Sequence, residues 1–182
     1  MEEQATVADT YKAIGEFVIV FQWVEHLYRQ IGWRILDPEQ KQWPPMAFRR
    51  ESNHDLINKV TDLFIDLTKR YAFPNGEEKA REMESLRAPF HELRRYRNRV
   101  LHSSYVELKA GGEVLGYLRA NPEIGVDPET GELIYDQEEF TGQLVHDKLR
   151  EFGEHMMSLN FLHVQLIHWL PFERHEPANV AP

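Results

Sequence analysis

Five arginines stand between positions 86 and 102 (Arg87, Arg94, Arg95, Arg97 and Arg99) against a single acid, Glu92, and the run closes on His102. An arginine keeps its charge and offers a rigid fork of donors, so it suits an anion. A histidine near a helix end titrates around neutral pH and moves a proton. A fixed cation beside a proton carrier is therefore the chemistry these residue types offer. Asn98 and His102 are four apart and share one helix edge. Arg97 and His102 are five apart, which separates them by roughly 140° on an ideal helix. One helix does not close that pair around a ligand unaided. Fraying of the helix end, or a second copy across a twofold axis, would.

Arg97 also falls within the arc marked by Leu86, Phe90, Leu93 and Leu101. Burying an unpaired guanidinium is very costly, so Arg97 must meet a carboxylate, a phosphate or a water-filled cleft. Glu25 poses the same problem inside the arc of Val18, Phe21 and Tyr28, and a buried carboxylate also needs a partner. The expectation is that Glu25 and Arg97 face each other. Arg95 and Arg99 lie on the opposite side and read as solvated, with Glu92 as a surface salt-bridge partner of one of them. Ser103 and Ser104 read first as ordinary residues after a helix. His163, on an apolar stripe, reads as a hydrogen-bonded core or interface residue.

The elements that carry these residues follow from hydrophobic spacing. Ile14, Phe17, Val18, Phe21, Val24, Tyr28 and Ile31 recur at helical period and predict a first helix from about Val7 to Leu36. Pro38 and Pro44-Pro45 stop it, so 37–50 reads as a loop. Leu56, Val60, Leu63, Phe64, Leu67 and Tyr71 predict a second helix from about Asn53 to Tyr71, capped by Ser52 or Asn53 and ended by Pro74-Asn75-Gly76. The third spans about Glu77 to Leu101. Its stripe keeps phase across Pro89, which predicts one kinked helix and not two. Residues 103–137 lose the period. Two alternating segments, 104–108 and 114–118, flank Ala110-Gly111-Gly112 as a hairpin, and a turn at Asp127–Gly131 precedes Leu133-Ile134-Tyr135. Val145, Leu149, Phe152, Met156, Leu159, His163, Leu166 and Leu170 predict a fourth helix from about Glu138 to Leu170. That seam suits a long bundle helix or an inter-chain contact. The segment from Pro171 reads as a disordered tail. The fold class is mainly α, a single domain over 1–170 with a small β insertion.

Composition narrows the classes. The chain has 182 residues, 42% of them hydrophobic, a formal net charge of −9 and no cysteine. The apolar share is enough for a core. A disulfide scaffold and a thiolate zinc site are excluded. The nine histidines form no dense cluster with carboxylates, so neither a metal nor another cofactor is expected. The start, Met-Glu-Glu-Gln, has no basic leader, and the longest apolar run, Phe17 to Phe21, is far short of a membrane span. A soluble, cytoplasmic protein without a membrane partner is the expectation. Walker A, G-x-G-x-x-G, G-x-S-x-G and H-E-x-x-H patterns are absent. The charge is uneven: residues 1–102 are balanced at 16 acids and 16 bases, while 103–182 carry all of the excess. The basic helix end therefore stands apart from the acidic remainder, which favours a small phosphate-handling cleft over a broad nucleic-acid footprint.

Arg97-Asn98-Arg99-Val100-Leu101-His102 resembles the R-x4–6-H motif of the HEPN superfamily, often seen as Arg-Asn followed by His near the end of a bundle helix. Glu92 and Arg97 match the acid and arginine of the longer E-x3-K-R-x4–6-H form, and Tyr96 stands where its lysine would be. The resemblance implies a four-helix HEPN-like bundle and a metal-independent endoribonuclease, usually a homodimer with two motifs facing each other across a composite site. It implies RNA as substrate, a toxin–antitoxin or defence setting, and an antitoxin or other protein as a further partner. In that reading His102 is general acid or base, Arg97 holds the phosphoryl oxygens and Asn98 orients the phosphate or the imidazole. Arg94, Ser103 and Ser104 bind flanking substrate, while Glu25, Glu92 and Tyr96 support. A catalytically silent module that binds RNA, a nucleotide or a protein, and a plain dimeric helical scaffold, remain alternatives.

Overall fold

The structure, a computed structural model, describes residues 7–41, 48–126 and 133–177. It is mainly helical, with four long helices and a small antiparallel sheet. Helix α1 (Val7–Leu36) and helix α2 (Asn53–Arg70) come first, then helix α3 (Gly76–His102). Strands β1 (Ser104–Ala110), β2 (Glu113–Val126) and β3 (Leu133–Phe140) follow, and helix α4 (Gly142–His168) closes the set. The expected turn at Asp127–Gly131, the Pro44-Pro45 pair and residues 178–182 lie outside the described residues.

Local chemistry explains most of the boundaries. Ser52 caps α2 by accepting the Asp55 backbone N–H at 3.2 Å, the ordinary N-cap arrangement. Helix α3 runs unbroken through Pro89, as its continuous stripe predicts. Gly111 and Gly112 both hold positive φ, at 60° and 88°. That is the geometry a two-residue hairpin turn demands, and it joins β1 to β2 between the paired Ala110 and Glu113. The sheet is a meander in the order β1-β2-β3.

Contacts divide the chain into two compact units, with α1, α3 and α4 each contributing a segment to both. One unit holds residues 1–20 and 95–151. Its core is Ala13, Phe17, Val100, Tyr117, Phe140 and Val145, so the sheet packs on helical segments through Tyr117 and Phe140. These two residues are directly paired across β2 and β3. Gly142, where α4 begins, lies so close to α1 that a Cβ there would stand 3.0 Å from the Asp9 carbonyl oxygen.

The other unit holds residues 21–94 and 152–182. Its core draws on all four helices, including Val24, Tyr28 and Ile31 from α1, Val60 and Phe64 from α2, Leu86 and Phe90 from α3, and Leu159 and Leu166 from α4. Gly32 is required by a close approach, since a Cβ there would lie 2.6 Å from the Phe48 ring and 2.9 Å from Val60.

Three expectations need correction. Helix α4 starts at Gly142, because Glu138–Phe140 extend β3 opposite Tyr117–Arg119. The strand pairing overrides the helical propensity of the glutamates. The segment after Pro171 is ordered as far as residue 177: Phe172 is buried, and Ala72 donates its backbone N–H to the Glu176 carbonyl at 2.8 Å. Tyr71 and Pro177 form an antiparallel bridge there. Lastly, Val100 is buried near the end of α3 while Leu101 is exposed, so the apolar arc there is set by Leu93 and Val100. Arg97 is accordingly only half-buried.

Candidate functional site

The last two turns of α3 fall in the unit that contains the sheet. Arg97 and Asn98 are both half-buried, and the Arg97 guanidinium donates from Nη1 to Asn98 Oδ1 at 3.1 Å. Neighbouring residues on a helix point about 100° apart, so this bond draws the guanidinium sideways across the helix surface toward the edge that Asn98 shares with His102. His102 is exposed on the final turn. The motif thus places an amide-tethered cation and a solvent-accessible imidazole on neighbouring edges of one helix end.

Ser103, just past the helix, is fixed in place. Its hydroxyl donates to the Arg99 carbonyl at 2.6 Å and accepts from Arg119 Nη1 at 3.0 Å. Arg119 was not legible as a site residue, yet it is only 2% exposed. Its Nε donates to Glu138 Oε1 at 2.7 Å, and Arg119 and Glu138 are direct partners in the β2–β3 register. One guanidinium therefore ties the end of α3 to two strands. The available signal was the Tyr117-x-Arg119 spacing, which puts the arginine on the same strand face as a buried tyrosine. Tyr105 adds a second tie, its hydroxyl donating to the Val100 carbonyl at 2.6 Å.

Glu138 lies part-exposed at the edge of this cluster. Replacing it with alanine removes a charge-assisted bond from a buried cation, which should lower stability by about 2 kcal/mol. Urea denaturation of Glu138→Ala against wild type is the measurement. An unchanged midpoint would mean that Arg119 does not depend on this carboxylate.

Tyr96 packs edge-on against Phe17, with ring centroids 5.2 Å apart, and carries Arg99 over its face at 5.8 Å. Its hydroxyl oxygen is buried without a hydrogen-bond partner among the described residues. Burial, followed by the negative charge of Glu138, pushes the phenol up to about 12. Since the folded phenol holds its proton above the ordinary value near 10, unfolding releases a proton at high pH. The stability from the neutral phenol is full below pH 10 and declines as pH rises toward 12. Tyr96→Phe should then be neutral or stabilising by up to about 1 kcal/mol at pH 7. It should also flatten the loss of melting temperature at alkaline pH. A large destabilisation at pH 7 would show that the hydroxyl has a working partner.

The remaining expected residues separate. Ser104 is exposed at the start of β1. Glu92 is exposed and Arg94 half-buried on the part of α3 that belongs to the other unit. Glu25 also belongs there, and the expected burial does not hold: its carboxylate is part-exposed and accepts from Arg29, one turn along α1. Spacing explains this, because Glu25 and Arg29 are an i,i+4 pair and need no distant partner. His163 is half-buried and accepts from Arg34 Nε at 3.3 Å. Burial, then the charges of Arg34 and His26, hold its imidazole below the usual histidine range.

Among the described residues no group of three or more histidine, aspartate or glutamate side chains is arranged to hold a metal ion, and no helix is long and apolar enough to cross a membrane. No protein-family model, characterised protein or solved structure matches the chain.

Proposed function

We propose that the protein is a HEPN-like endoribonuclease that cleaves RNA without a metal, with Arg97, Asn98 and His102 as its working residues. The observation that carries the reading is the Arg97–Asn98 hydrogen bond at 3.1 Å beside an exposed His102 on the same helix end. In this reading the His102 imidazole takes the proton of a ribose 2′-hydroxyl. The 2′-oxygen attacks the adjacent phosphorus, the P–O5′ bond breaks, and the 5′-oxygen leaves with a proton from water. The products are a 2′,3′-cyclic phosphate and a 5′-hydroxyl end. Arg97 holds the phosphoryl oxygens as charge builds on them. Asn98 orients the guanidinium.

The Ser103 hydroxyl is already engaged twice, which supports a role for Ser103 in fixing the helix end over one in touching RNA. Ser104 remains open to substrate. The resemblance of the motif supports a second copy that completes the site, and a toxin or defence setting.

The test is incubation of the purified protein with RNA in EDTA, with the ends identified chemically. Cyclic phosphate ends that vanish in Arg97→Ala support the reading. RNA retention without cleavage would mark a silent binding module. Neither cleavage nor binding would overturn both.

A further inference from the structure

The seam on α4 recognisable from the sequence is satisfied within the chain: Phe152, Leu159 and Leu166 are buried, joined by Leu162 and Trp169. The same helix carries a second apolar stripe. Met157 is 62% exposed and Phe161 61%, and Val164 and Ile167 are exposed as well. Met157, Phe161 and Val164 follow one another at spacings of four and three, and Ile167 flanks them. At about 100° per residue they centre on the side of α4 opposite the buried seam. A helix face turned fully to water normally carries polar residues. Here about three turns of the outermost face present methionine, phenylalanine, valine and isoleucine instead, and a contiguous patch of that kind marks a contact surface.

We propose that this stripe is the interface with a second copy of the same chain, packed antiparallel about a twofold axis at Phe161. The polar residues at the two ends of the stripe select this occupant and this direction. Glu154 and His168 stand seven residues to either side of Phe161, in line with the apolar positions. A twofold axis at Phe161 sets each Glu154 toward His168 of the second copy, and Phe161 against Phe161. Parallel pairing would set Glu154 against Glu154, two like charges, which is unfavourable. The face is thus self-complementary in the one arrangement that closes as a dimer. It lies wholly within the unit of residues 21–94 and 152–182. It needs nothing from the catalytic reading, and cleavage is not its readout.

The experiment is sedimentation equilibrium of the full chain across the micromolar range, with Phe161→Glu alongside. Wild type is expected to dimerise, and Phe161→Glu to weaken the dimer by roughly 30-fold or more, as for a central interface anchor. Leu115→Glu, at an exposed apolar position on β2 in the other unit, should leave the dimer unchanged. Phe161 is a surface residue, so its charge variant should keep the wild-type circular dichroism. The absence of cysteine from the chain allows a second, positive test. Phe161→Cys carries the only thiol, and under mild oxidation it should form a covalent dimer if position 161 sits on the axis. A Leu115→Cys control should not. A monomeric wild type, or a dimer indifferent to Phe161→Glu and uncrosslinked by Phe161→Cys, would overturn the proposal.

Discussion

Arg97→Ala and His102→Ala should each reduce RNA cleavage in EDTA by roughly 100-fold or more, while circular dichroism and melting temperature stay close to wild type. The size follows from the separate tasks. A positioned acid or base is worth about 100-fold or more, and a fixed cation aimed at developing charge is worth a similar factor. The fold should tolerate both changes, because His102 is exposed and Arg97 half-buried. The two losses should also differ in kind. Arg97 acts on the phosphate through a charge that no working pH removes, so Arg97→Lys should recover only part of the rate, lacking the fork that meets Asn98. His102→Ala instead removes the group that takes the 2′-hydroxyl proton. Arg95, exposed on the same helix, is the control and should be replaceable by alanine at little cost. If Arg95→Ala matches Arg97→Ala, cleavage depends on net charge and not on a placed guanidinium. If neither Arg97→Ala nor His102→Ala changes cleavage, the motif is not the site.

Asn98→Ala sharpens the same experiment. The amide oxygen holds the guanidinium sideways, so its loss should leave the charge in place and free its direction. An effect on turnover without a matching effect on RNA affinity would assign Asn98 to orientation.

What could be read in advance divides along physical lines. The end of helix α1 at Leu36 was legible because its apolar stripe is long and Pro38 follows. The β1–β2 hairpin was legible because Gly111-Gly112 supplies the two positive φ values its turn needs. The start of α4 was not, since Glu138 and Glu139 favour a helix locally and only pairing with Leu118 and Arg119 on β2 makes them strand. Nor was the partner of Glu25, because a helical arc gives the direction of a side chain and not the cation it meets, here Arg29 on its own helix. The candidate site was legible as a motif, but its foundation was not. Arg119 lies far from His102 in sequence and reaches Ser103 only through the register of the sheet. A single arginine in an alternating strand gives no hint of burial until its neighbour Tyr117 is known to face inward.

The segment that reads as a disordered tail should prove to be structural, and Trp169→Ala together with a chain ended after Leu170 decides it. Trp169 is 2% exposed near the end of α4. Its ring stacks on Phe73 with centroids 4.4 Å apart and planes 6° from parallel, and Phe64 lies at 5.8 Å. Phe172 and His175 from the following segment close on Phe73 from other directions, with centroids at 5.9 and 4.7 Å. His175 also bonds the Trp169 carbonyl through Nε2 at 3.1 Å. Composition hides this, because Pro171, Glu173, Arg174 and Pro177 look like a solvated end, while the anchoring comes from two aromatic rings that only the fold brings to Trp169 and Phe73. Truncating the indole leaves a cavity among rings that cannot collapse into it, so Trp169→Ala should cost about 3–5 kcal/mol. Ending the chain after Leu170 removes Phe172, His175 and the Ala72–Glu176 bond together. It should cost a comparable amount and leave the Phe73 ring accessible. Chemical denaturation of both variants is the measurement. A truncated chain as stable as the full one would return these residues to the tail their composition suggests. If both variants fall together, the aromatic cluster is one cooperative element, and any dimer formed through α4 stands on a helix whose last turn it secures.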